Sequence, residues 1–198
     1  MEAQEILSIL SDVTVCCGTY ISTPDIPNTK KHLGGVVKYC YSFNNEDFVI
    51  KFPQDLSKEP DCMKEVEFYQ KAITARVDKV VPHTVFLGKN CHGVPFFKQQ
   101  KIDFSIGDAP YSKLIKYELM THRINDNLIR RIRESITVDD RGIESTWLKM
   151  VWLLYGEKFT RALERWLNEN HINDLHVHNI GYLKDKPIIM DFCGYHRW

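Results

Sequence analysis

Apolar residues in the first hundred positions fall mostly into short β-rich runs separated by polar turns. VVKYCYSF (36–43) and FVIKF (48–52) flank the polar turn NNED, a pattern that predicts a hairpin. VVPHTVFLG and VPFFKQQKI predict a second strand pair, broken by the turn KNCHG. Between the two pairs, Pro60-Asp61 opens a helical pattern in which Met63, Val66, Phe68/Tyr69 and Ile73 define one buried face. The stretch Ser22 to Lys31, with two prolines and several turn formers, reads as a loop.

The pattern changes after Tyr111. Lys113 to Ile136 reads as helical in pieces, and Ile143 to Asn168 carries the strongest helical period in the chain. Trp147, Leu148, Val151, Leu154, Tyr155, Phe159, Ala162, Leu163, Trp166 and Leu167 follow that period, and Gly156 weakens it locally. IGYL and PIIMDF then predict a short hairpin around KDK. The expected fold class is α+β. It comprises one domain of two lobes, a sheet with one helix over about 1–102 and a helical part with a terminal hairpin over about 103–198, meeting near Gln100–Ile106.

Composition narrows the classes without naming one. The chain has 198 residues, 43% hydrophobic and 26% charged, which is ordinary for a globular domain and unlike collagen, coiled coil or disordered chain. Lys plus Arg and Asp plus Glu both number 26, so no net field favours nucleic acid or an anionic membrane, and neither is expected as a partner. MEAQEILSILSDVTVCC has no basic segment of a secretory signal, and no apolar run approaches the roughly 20 residues that span a bilayer. None of the six cysteines forms a C-x-x-C pair, so reduced thiols and a cytoplasmic location are expected.

Candidate chemistry concentrates behind the long helix. Asp174 is followed five positions later by Asn179, and Asp191 lies twelve residues further on, at the end of the apolar strand PIIM. A loop carboxylate, a loop amide and a strand-end carboxylate suit Mg²⁺, which takes hard oxygen ligands and completes its shell with phosphates. Asn179 and Asp191 are the candidate ligands, leaving Asp174 to orient or deprotonate an attacking hydroxyl.

This set resembles the catalytic and metal loops of the protein kinases. The family pattern H-R-D-L-x-x-x-N stands here as Ile172-Asn173-Asp174-Leu175-His176-Val177-His178-Asn179, and D-F-G as Asp191-Phe192-Cys193 followed by Gly194. The style is similar to the small divergent kinases of bacteria and phages, including the early serine/threonine protein kinases of T7-like phages. The resemblance spans roughly Leu33 to Gly194. It implies a lysine on the third strand paired with a helix glutamate, roles that fall to Lys51 in FVIKF and to Glu65 fourteen residues later. Gly34-Gly35-Val36-Val37 would be the end of a glycine-rich loop, with Val37 covering the base, and VPFFKQQKI would lead into the hinge.

The function so implied is an ATP- and Mg²⁺-dependent phosphotransferase of minimal size, acting on serine or threonine of a protein substrate in the cytoplasm (the host's, if the chain is viral). Lys51 and Asp174 would be catalytic, Gly34, Gly35, Val37, Lys51 and Glu65 would hold nucleotide, and Asn179 and Asp191 would hold metal. Several positions depart from the family. Only the pair GG remains of G-x-G-x-x-G, Ile172 and Asn173 replace the histidine and arginine, Cys193 replaces a glycine, and the sequence stops seven residues after Asp191. These departures imply the alternative, a catalytically weak or inactive kinase-like binding protein acting through a partner. Two further alternatives remain at this point: a small-molecule kinase with this loop style, and a zinc or iron hydrolase built on His176-x-His178 with Cys193 and His196.

Overall fold

The computed structural model describes residues 2–26, 28–32, 37–102, 104–105, 125–136, 143, 145–172, 175, 179–184, 186–189 and 191. The chain is mixed α+β, with a five-stranded antiparallel sheet and helices. It divides into two compact units, Met1–Glu67 with His83–Lys101 and Phe68–Pro82 with Ile102–Trp198.

The first unit begins with α1 (Ala3–Ile9) and the hairpin β1 (Thr14–Cys16) and β2 (Tyr20–Ser22). Its main sheet contains β3 (Thr29–His32), β4 (Lys38–Phe43), β5 (Phe48–Pro53), β6 (Thr84–Lys89) and β7 (Pro95–Gln100) in the order β3-β4-β5-β7-β6. Helix α2 (Glu59–Ala75) follows β5 after a short 3-10 turn, and the unit boundary falls within it.

Register decides what each face of the sheet carries. Cys40 lies opposite Lys51, Val49 opposite Gln99, and Gln99 opposite Thr84. Side chains alternate along a strand, so Lys38, Lys51, Gln99 and Thr84 share one face. The other face carries Tyr41, Ile50, Phe52 and Phe96, which form one buried cluster with Ile6, Leu10 and Val13 of the N-terminal segment. Phe52 stacks on Tyr41 at 5.6 Å and tilts against Phe96 at 5.0 Å, the offset geometry that aromatic quadrupoles favour. The hairpin β1–β2 is fastened to the end of β5 by Asp55, which accepts from Thr19 Oγ1 and the Ser57 amide, both at 2.8 Å. Those hydrogen bonds, Ser57's first, hold the Asp55 carboxyl below its ordinary value.

The second unit contains α3 (Asp126–Ile136), α4 (Ser145–Glu169) and a three-stranded antiparallel sheet of β8 (Phe104–Ser105), β9 (Ile180–Leu183) and β10 (Lys186–Ile189), ordered β10-β9-β8. Its core joins Phe68 and Ala72 of α2 to Leu128, Ile132, Trp147, Leu163, Trp166 and Ile189. Trp147 is fully buried and donates its indole N–H to the Gly181 carbonyl at 3.3 Å, tying α4 to β9 without an unsatisfied donor.

Several sequence expectations need correcting. The segment 22–31 is not all loop, since β3 starts at Thr29, and its Lys30 and Lys31 are exposed. Charge there suits an edge strand, because lysines discourage pairing with another chain. The first unit also has a helix beyond α2, the short α1. On α2 the buried positions are Cys62, Glu65, Phe68 and Ala72, whereas Ile73 is 44% exposed. Counting apolar residues alone sets the helix phase wrongly, because a glutamate occupies the centre of the buried face.

Gly156 does more than weaken α4. Its φ of 79° and ψ of 172° break the helix at that residue, in a region open essentially to glycine alone. A Cβ at this position would meet nothing within 4 Å, so a side chain would be resisted by the backbone and not by crowding. Gly156→Ala is expected to lower stability by about 1–3 kcal/mol in denaturant melts. An unchanged or higher midpoint would mean that α4 can close into a continuous helix instead.

Candidate functional site

In the first unit the chemistry gathers on Glu65. Residues 59–67 of α2 set this carboxylate over the polar face of the sheet, where it is 2% exposed. Lys51 Nζ, from β5, lies 3.1 Å from Oε2 and 3.4 Å from Oε1. Gln99 Nε2, from β7, donates to Oε2 at 2.9 Å and lies 3.1 Å from the Thr84 hydroxyl on β6. Lys38 Nζ, from β4, donates to Oε1. All five side chains belong to buried residues, so the carboxylate is compensated by direct donors where water does not reach it.

The pairing of Lys51 with Glu65, implied by the kinase resemblance, is present in the structure. The hairpin register puts Lys51 on the polar face, and the fourteen-residue interval brings α2 back over the same strand. Lys38 and Gln99 were missed. Hairpin alternation was the available signal for Lys38, since residues 38, 40 and 42 share a face with 51 once Cys40 lies opposite Lys51. Val37, expected to cover a base, is half-buried, and its carbonyl accepts from the Gln54 amide at 3.0 Å. Gly34 and Gly35 lie outside the described residues.

In the second unit the expected metal ligands are neighbours. The β9–β10 register pairs Ile180 with Ile189, and just beyond the ladder the Asp191 amide donates to the Asn179 carbonyl at 3.3 Å. An amide oxygen and a carboxylate thus come from adjacent strand ends, both half-buried. An amide oxygen and a carboxylate are hard oxygen donors of the kind Mg²⁺ takes.

The approach to Asp174 is also defined, although Asp174 itself lies outside the described residues. Helix α4 ends in a Schellman motif. His171 takes a φ of 53°, the Ile172 amide donates to Leu167 O at 2.9 Å and the His171 amide to Asn168 O at 3.2 Å. Ile172, at 3% exposure, and Leu175, fully buried, enter the core on either side of Asn173-Asp174. A hydrophobic residue at 172 therefore has a packing reason: it supplies the apolar contact that follows such a helix end.

Among the described residues, no group of three or more His, Cys, Asp or Glu could hold a metal ion. His176, His178, Cys193 and His196 of the hydrolase alternative lie outside those residues. An open cleft of about 550 Å³ runs along α3 and α4, lined by residues such as Arg131, Lys158, Arg161 and Arg165, and includes none of the expected site residues. Among the described residues, no helix is long and apolar enough to cross a membrane. No protein-family model matches the chain, and comparison with curated proteins finds no match.

Proposed function

We propose that the protein is a minimal kinase-like phosphotransferase using ATP and Mg²⁺, with a serine or threonine of a protein as acceptor. The observation that carries this reading is the buried ion pair between Lys51, on the third strand of the main sheet in chain order, and Glu65, on the helix that follows it. Support comes also from Asn179 and Asp191, two oxygen ligands brought to adjacent strand ends in the part of the sequence that resembles the kinase loops.

In this reading Glu65 holds the Lys51 ammonium extended, and Lys51 donates to the α- and β-phosphate oxygens. Asn179 and Asp191 hold the metal, which when bound neutralises charge developing on the transferred phosphoryl group. Asp174 accepts the proton of the substrate hydroxyl as its oxygen bonds to the γ-phosphorus and the bridging oxygen leaves with ADP. Lys51 and the metal ligands thus work through positioning and charge, and Asp174 through proton acceptance.

A second reading, a weak or inactive kinase-like binding protein working through a partner, is favoured by Ile172. It fills the core at the position where the family has its histidine. One experiment separates the two. Purified chain is incubated with γ-labelled ATP and Mg²⁺, alone and with a mixed protein substrate, beside Asp174→Ala. The phosphotransferase reading expects label transfer by the wild type and a loss of at least about 100-fold in the variant. Equal, background-level transfer by both would overturn it, and ATP-dependent thermal stabilisation in that case would favour the binding protein.

A further inference from the structure

The buried network contains a lysine that the mechanism above leaves unused. Lys38 is 3% exposed, sits on β4 one residue after Val37, and donates to the same Glu65 carboxylate as Lys51. Its backbone is fixed from both sides of the position. The Gln54 amide donates to the Val37 carbonyl at 3.0 Å, and the Gln54 side chain donates to the Lys38 carbonyl at 3.2 Å. Lys38 lies diagonally across the β4–β5 ladder from Lys51, since Cys40 is opposite Lys51 and Lys38 opposite Pro53. Diagonal neighbours on one face are within reach of long side chains. The two ammonium groups therefore meet at one carboxylate from adjacent strands.

A lysine is an expensive residue to bury for structure alone, since an apolar side chain of similar length would cover the same surface without desolvating a charge. What two lysines on one carboxylate provide is exchange. Gln99 Nε2 and either ammonium keep Glu65 hydrogen-bonded, so the other ammonium can turn to a phosphate oxygen without leaving the carboxylate bare. Nucleoside triphosphates carry several anionic oxygens along one chain, which suits two point-charge donors better than one.

We propose that Lys38 is a second polyphosphate-binding lysine, sharing Glu65 with Lys51 and contacting the nucleotide's phosphates. This rests on the nucleotide reading above and assigns that site a second cation. Lys38 is then a binding residue in its own right, and the nucleotide's phosphates rather than its base are what it recognises.

The test is calorimetric titration of the full chain with ATP plus Mg²⁺ and, separately, with adenosine. Wild type, Lys38→Met, Lys38→Arg and Lys51→Met are compared, with circular dichroism and melting temperature as folding controls. Lys38→Met is expected to weaken ATP binding about tenfold, the effect of losing one charge-assisted hydrogen bond, while adenosine affinity stays within about twofold. Lys38→Arg, which keeps the charge, is expected to recover most of the ATP affinity. A folded Lys38→Met that binds ATP like wild type, or that loses ATP and adenosine equally, overturns the assignment of Lys38 and leaves the nucleotide reading standing. A wild type that binds no ATP overturns the nucleotide reading and this assignment together. Should Lys38→Met not fold, the wild-type chain decides: an acyl-phosphate derivative of ATP transfers its acyl group to the ε-nitrogen of lysines near the phosphates and releases ATP. Mass spectrometry is expected to find the acyl group on both Lys38 and Lys51, and acylation of Lys51 alone overturns the proposal.

Discussion

Asp191→Ala should reduce phosphoryl transfer by about 100- to 1,000-fold or more, the range found when one preorganised electrostatic group is removed from a reacting centre. Asp191 is the only charged member of the Asn179–Asp191 pair, and its backbone is held by the Asn179 carbonyl at 3.3 Å. In the proposed function the substitution takes away the stronger metal ligand, while the backbone hydrogen bond to Asn179 does not need the carboxylate. The fold should therefore survive and the metal dependence should not. Titrating Mg²⁺ against initial rate separates the effects: Asp191→Ala should need far more Mg²⁺ for any residual rate, while melting temperature without metal stays close to wild type. A variant with wild-type Mg²⁺ dependence would remove Asp191 from the metal site.

Glu65→Ala carries the largest expected effect on stability. Glu65 is the common acceptor for Lys51, Lys38 and Gln99, three donors brought by three different strands. Breaking a buried pair by deleting one partner costs about 3–5 kcal/mol, because charged groups lose the partner for which they were desolvated. Such a loss is a large fraction of the stability of a domain this size, so Glu65→Ala should lower the denaturant midpoint sharply or give insoluble protein. Glu65→Gln preserves volume and one acceptor oxygen and should fall between the two. If Glu65→Ala unfolds within about 1 kcal/mol of wild type, the network does not organise the sheet face as described. Lys51→Met should behave differently, since it removes a charge from Glu65 but leaves Lys38 and Gln99 on the carboxylate.

The placement of these two residue pairs was legible in the sequence to different degrees. Lys51 and Glu65 were singled out by the kinase resemblance, which implies a strand lysine beside a helix glutamate, and their side chains do meet. Asn179 and Asp191 could be read because the short hairpin between them places its two ends side by side. Lys38 was not picked out, because a single lysine inside a strand looks like a solvent-facing residue until the register of its neighbour is known. The phase of α2 was misread for a related reason: its buried face is centred on a glutamate whose partners lie on other strands. Helix α1 and strands β1 and β2 are too short for a periodic signal, although Ile6, Leu10 and Val13 already stand at helix-like intervals and all are fully buried. Strand β3 reads as loop because its lysines are surface protection for an edge, and hydrophobic pattern says little about edges. At Gly156 the expected weakening is a complete break, a distinction that depends on backbone angles that the sequence does not encode locally.

The proposed function gives Lys51 a phosphate-binding role and Asp191 a Mg²⁺-binding role. Calorimetric titration of ATP into wild type, Lys51→Met and Asp191→Ala, each with and without Mg²⁺, tests it most directly. Wild type is expected to bind ATP more tightly with Mg²⁺ than without, Lys51→Met to weaken binding in both conditions, and Asp191→Ala to abolish the Mg²⁺-dependent gain alone. A folded wild type that takes up no ATP, or ATP binding that neither substitution alters, would contradict it.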